Sequence, residues 1–133
     1  MSAAIGNGNI TFGDGSVQSS KSLAVSAQVF TSSGTFTIPA TKVKVTVIGA
    51  GGGAVNSGAY SGAGAGGTAI KWLSGLTVGA TLTVTIGTGG SAGASGGSST
   101  VTSGTQTIST ITGGGGSTGG AYYAGNNGGS ASI

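Results

Sequence analysis

The chain has 133 residues, 32 of them glycine and one proline, which is enough length for one domain with a buried core. Only 4% of the residues are charged: Lys21, Lys42, Lys44 and Lys71 stand against Asp14 alone, with no histidine and no cysteine. That inventory excludes a disulfide framework or thiolate metal site, leaves too few cations for a nucleic-acid surface, and contains no apolar run that spans a membrane.

So much glycine would suggest disorder, yet 36% of the residues are hydrophobic and the mean hydropathy is positive. Disorder couples low hydrophobicity to high net charge, so this chain is expected to fold. So uncharged a surface has little colloidal protection, which points to cover by copies of itself or by a partner. The opening Met1-Ser2-Ala3-Ala4-Ile5-Gly6 carries neither a basic nor an apolar run, so no secretory signal is read there.

Residues 1–29 read as an N-terminal arm or attachment segment, and 30–133 as a glycine-rich β domain. Ile10-Thr11-Phe12 is a short strand, Gly13-Asp14-Gly15-Ser16 a tight turn, and residues 17–27 an extended arm in preference to a weak helix. Phe12 and Leu23 are candidate subunit-interface residues. Residues 28–36 look like a hairpin around Ser32-Ser33-Gly34. After a turn at Pro39-Ala40-Thr41 comes the stretch around which the chain is organised, Lys42-Val43-Lys44-Val45-Thr46-Val47-Ile48. Val43, Val45 and Val47 share one face of that strand, and Lys42, Lys44 and Thr46 share the other.

The strand empties into a glycine-rich stretch, residues 49–67, that carries Tyr60. Residues 68–73 form the next strand, Ser74-Gly75 turns, and Gly79 interrupts before residues 80–86. There Leu82, Val84 and Ile86 alternate with Thr81, Thr83 and Thr85. A second glycine stretch covers 87–97, and threonine-rich strands at 98–102 and 105–112 are split by Ser103-Gly104. A third glycine region, from residue 113, carries Tyr122 and Tyr123. The strand-into-glycine unit thus occurs three times. No apolar period of 3.6 is sustained, so the expected fold is all-β, a small β-sandwich or jelly-roll-like domain with almost no helix.

The glycine tracts admit two readings. They are flexible surface loops, or they pack as polyglycine, their backbones close enough to hydrogen-bond laterally. Ordering glycine is entropically expensive, so the second reading is expected to need neighbouring chains, and therefore an oligomer.

Gly49-Ala50-Gly51-Gly52-Gly53-Ala54 nearly matches a dinucleotide-binding fingerprint. Residues 54–67 are too glycine-rich for the required helix, and the acidic residue expected downstream is missing. General acid–base chemistry and metal binding need His, Cys, Asp or Glu, and Asp14 reads as a turn residue. No catalytic residue, cofactor or metal is expected, and no enzyme activity. Tyr60, Tyr122 and Tyr123 remain as candidate surface or receptor contacts, since a flat ring with a polar tip suits sugar or protein recognition. Packing over neighbouring loops is their alternative role. Trp72 is assigned to the core or to a subunit interface.

Gln28-Val29-Phe30 with Ser33-Gly34-Thr35-Phe36, Pro39, the strand Val43 to Ile48, and Ile86-Gly87-Thr88-Gly89-Gly90 together resemble the glycine-rich domain of bacteriophage tail-fibre and related virion proteins. Ile10 to Gln18 is similar to a segment that often precedes such domains. The resemblance implies a non-enzymatic structural protein of a phage virion, made in the host cytoplasm. It would be an exterior appendage of tail-fibre or adhesin type, assembling as a homotrimer and contacting other virion proteins and a host surface glycan. With 133 residues and no long shaft, a capsid decoration (cement) protein is the alternative. A carbohydrate- or ice-binding module using threonine rows such as Thr81, Thr83 and Thr85 is a third.

Overall fold

The computed structural model describes residues 4–6, 9–11, 17–18, 27–55, 62–120 and 127–133. No helix occurs among the described residues. Three short strands, β1 (Ala4–Gly6), β2 (Asn9–Thr11) and β3 (Val17–Gln18), form an antiparallel sheet in that order. Phe12 and Leu23 lie outside the described residues.

The rest is a sandwich of unequal layers. One layer is five-stranded and antiparallel, in the order β10-β9-β8-β7-β4. It contains β4 (Gly34–Thr37), β7 (Thr81–Thr85), β8 (Ser99–Ser103), β9 (Ile111–Gly113) and β10 (Ala131–Ser132). The other layer is the hairpin of β5 (Lys42–Ile48) with β6 (Thr68–Ser74), in register from Lys42↔Ser74 to Ile48↔Thr68. β5 lies over β8 and β9, and β6 over β9 and β10; neither reaches β7 or β4.

Alternation fixes which side of each strand is buried. In β5, Val47 is buried and Val43 and Val45 half-buried, while the lysines and Thr46 face water. In β7, Leu82 and Val84 point inward and Thr83 and Thr85 outward. These meet Ala69 and Leu73 of β6, Val101 of β8 and Ile111 of β9 in one core. Its lower end is plugged by Leu76, whose N–H donates to the Thr41 carbonyl at 3.0 Å. Below it a type II turn joins β6 to β7: Ala80 N–H donates to Thr77 O, and Gly79 takes φ +85°.

Two expectations about strands change. Residues 28–36 form no hairpin. β4 pairs with β7 instead, from Gly34↔Val84 to Thr37↔Thr81, because the alternating β7 continues the core beneath it, which the adjacent Val29 and Phe30 cannot. Phe30 still packs edge-on against Phe36, with ring centroids 6.3 Å apart. The expected strand at 105–112 shrinks to β9, since polar side chains capture the backbone before it. Thr105 N–H donates to Thr81 Oγ1 at 3.1 Å and Ile108 N–H to Ser103 Oγ at 3.0 Å, while Gln106 N–H turns to the Thr81 carbonyl at 3.1 Å. β8 and β9 nevertheless pair antiparallel, as a hairpin with a longer connection.

The core is small, so each member counts. Ile111, at 0% exposure, is expected to lose about 2–5 kcal/mol of unfolding free energy as Ile111→Ala. Ile70, at 52%, is expected to stay within about 0.5 kcal/mol as Ile70→Ala. Urea unfolding followed by circular dichroism measures both.

Candidate functional site

Three strand pairs, β5/β6, β7/β8 and β9/β10, continue past their last ladder bond into glycine. Strand β5 becomes tract 49–53 and returns through 62–67 to β6; β7 becomes 87–91 and returns through 94–97 to β8. β9 becomes 113–119, and 127–130 leads back into β10. Six backbone segments therefore stand side by side above the sandwich.

Their hydrogen bonds advance by three. Gly49 and Gly52 donate to Gly67 and Gly64, at 2.9 Å each, while Ala50 and Gly53 donate to Gly97 and Ala94. Gly64 and Gly67 donate in turn to Ser117 and Gly114. Gly116 and Gly119 donate to Ala50 and Gly53, and Gly114 and Ser117 to Ser130 and Asn127. A residue and the one three further on address the same neighbour, as in an extended helix of about three residues per turn without internal bonds. A β-strand bonds in two directions only. Here tract 49–53 bonds four others, 62–67, 87–91, 94–97 and 113–119.

The bonds cross between layers because nothing stands between them. A Cβ built on Gly49 would overlap the carbonyl of Gly114 in the opposite layer, and on Gly116 that of Gly64; within the five-stranded layer, one on Gly115 would overlap Gly96. Gly51, in the same tract as Gly49, faces outward, its nearest obstacle being the Gly64 oxygen at 3.8 Å. The tracts are thus ordered polyglycine, and the need for neighbouring chains is corrected. One chain supplies six segments, enough to satisfy these backbone groups internally.

The described ends of all three pairs meet at the end away from the sandwich. There Gly93 N–H donates to Ala54 O at 3.1 Å, Gly119 N–H to Gly53 O at 3.0 Å and Ser117 N–H to Asn127 O at 3.2 Å. Thr118 Oγ1 adds a bond to Gly53 O at 3.2 Å. The pair from β7 closes in a type II turn, with Ala94 N–H on Ser91 O and Gly93 at φ +76°. The chain leaves this end at Val55 and Gly120, and is next described at Gly62 and Asn127. Tyr60, Tyr122 and Tyr123 belong to the two intervening stretches and lie outside the described residues.

Trp72 is not in the core. At 61% exposure it stands on the outer face of the β5–β6 hairpin, the face that also carries Ile70 and Ile48, with Lys42 Nζ 5.6 Å from its ring centroid. The tract resembling a dinucleotide fingerprint starts no helix, and the N–H groups of Gly49, Ala50, Gly52 and Gly53 are all spent on backbone carbonyls. No group of three or more His, Cys, Asp or Glu occurs among the described residues, and no helix there is long and apolar enough to cross a membrane.

The model of the glycine-rich domain matches residues 30–133. The chain belongs to that family. Comparison with curated proteins and with solved structures gives no match. The family match covers the sandwich and the glycine bundle together, from Phe30 to the last residue.

Two substitutions two residues apart test the bundle. Gly49→Ala forces a methyl group into the Gly114 carbonyl and is expected to cost at least about 2 kcal/mol. Gly51→Ala meets no such obstacle and is expected to change stability by less than about 0.5 kcal/mol. Denaturant midpoints of the two variants decide the matter.

Proposed function

We propose that this protein is a non-enzymatic exterior appendage of a bacteriophage virion, of tail-fibre or adhesin type, that meets the host surface with the far end of its glycine bundle. The observation that carries the reading is the gathering of the described tract ends, at Ala54, at the turn from Ser91 to Ala94, at Gly119 and at Asn127, opposite the sandwich. Those ends are hydrogen-bonded to one another, the kind of support from which connecting segments recognise partners. The stretches 56–61 and 121–126, which join these ends in the sequence, contain the chain's three tyrosines. The motif resemblance at residues 28–53 and 86–90 adds the virion context.

Homotrimeric assembly belongs to the same proposal. Its support is the near-absence of charge and the exposed Trp72, Ile70 and Ile48 on one face, not the glycine tracts. A host glycan is the partner that flat aromatic rings suit best. A capsid decoration protein is the second reading, which the weakly charged surface suits as well.

Immunogold labelling of intact particles tests the location: label at the tips of appendages is expected, and label spread over the head would favour decoration instead. Replacing residues 121–126 with a glycine–serine linker of equal length is expected to shift stability by less than about 1 kcal/mol. The same change should abolish adsorption to host cells. Adsorption that survives this change and a Tyr60→Ala substitution would remove the tyrosines from the proposal.

A further inference from the structure

The two layers of the sandwich differ in width. The hairpin covers β8, β9 and β10, so the inner faces of β7 and β4 extend beyond the outer edge of β5. Alongside that edge runs a groove of about 960 Å³, lined by Phe30, Phe36, Val43, Val45, Val84 and Ile86 among others. β5 pairs with β6 on one side only, and among the described residues no backbone bond reaches its other side. Among the described residues, a seven-residue strand thus presents an open row of backbone donors and acceptors beside a floor of half-buried Phe30, Phe36, Val43, Val45 and Ile86.

We propose that the free edge of β5 is a strand-addition site for an extended segment of another protein, one that alternates apolar with acidic residues. Neighbouring strands lie about 4.8 Å apart, so a shelf two strands wide admits an extended segment and excludes a folded domain, including a second sandwich. Side chains of an added strand alternate between the faces of the sheet. Those turned inward meet Phe36, Ile86 and Val45, which are half-buried and line the groove, and should be apolar. Those turned outward stand next to Lys42 and Lys44, both exposed, and the chain's single acidic residue, Asp14, leaves four lysines without equal numbers of carboxylates. Carboxylates on the incoming strand supply the missing charge, and lysines there would be repelled. Backbone bonds give the affinity and the alternation gives the choice of segment. This site is at the sandwich, away from the tract turns, and does not depend on the reading of the far end.

The test titrates the full chain with a synthetic peptide of the length of β5, seven residues, alternating valine and glutamate, and with its valine–lysine counterpart. Backbone amide shifts are followed by NMR. The valine–glutamate peptide is expected to shift the amides of β5, and the lysine version to bind about tenfold more weakly. Lys44→Glu should narrow or invert that order. Methylating every second peptide nitrogen is expected to abolish binding in one phase and spare it in the other, because alternate N–H groups point at β5. Equal binding by the two peptides, indifference to both methylation phases, or no response at β5 would overturn the proposal. An edge already held by a second copy, seen as a dimer in sedimentation with no peptide response, would overturn it too.

Discussion

Two layers of a β-sandwich normally stand about 10 Å apart because side chains fill the space between them. Where β5, β7 and β9 run into glycine that filling disappears, and the layers close until backbone meets backbone. Gly113 marks the point of closure: a Cβ there would lie 2.7 Å from Gly49 N and 2.8 Å from Val47 O. Below it, Val47 and Ile111 hold the layers apart with apolar side chains. Above it, the bonds of Gly67 to Gly114 and of Gly116 to Ala50 hold them together. Upper and lower halves are one set of strands under two packing rules, and the presence or absence of Cβ decides which rule applies.

The division also settles what each half contributes. Fixing the backbone of one residue opposes folding by about 1–2 kcal/mol, and glycine lies at the upper end. A backbone hydrogen bond contributes about 1 kcal/mol net. The bundle therefore cannot hold itself together on its bonds alone, and its segments arrive already paired by the β ladders beneath. The sandwich brings apolar burial and registers the six entries; the bundle extends that register outward with no side chains of its own. Charge has little part in either half, consistent with a chain of four lysines and one aspartate.

The sequence makes the strands legible because alternation is a local signal. Val43, Val45 and Val47, and likewise Leu82 and Val84, announce their buried faces, and the core contains them. Pairing is not local, which is why β4 finds β7 and not the residues just before it. The polyglycine bundle carried a legible mark as well. Gly49 and Gly52, Gly64 and Gly67, Gly87 and Gly90, and Gly113 and Gly116 are each spaced by three, and at all eight positions a Cβ would strike backbone. Spacing by three is the signature of the extended glycine helix; Gly51 and Gly89, off that period, have room for a Cβ, while Gly53, Gly66 and Gly115, also off it, meet backbone because a tract has neighbours on more than one side. What spacing cannot tell is whether the neighbours come from the same chain. Counting strand-to-glycine transitions together with their returns gives the six segments that make a second chain unnecessary.

A support built in this way separates what fixes the fold from what meets the surroundings. The constrained glycines face inward along the tracts, at the places where Gly53 approaches Ser91 and Gly64 approaches Asn127. Beyond the last of those contacts the described tracts end, at Val55 and Gly120. Within them, a single methyl group on the inner face displaces a neighbouring backbone. On the proposed reading this gives a recognition end carried on a support that cannot vary. A chain with one aspartate and no histidine has little ionisable chemistry with which to bind, and shape and contact are what remain.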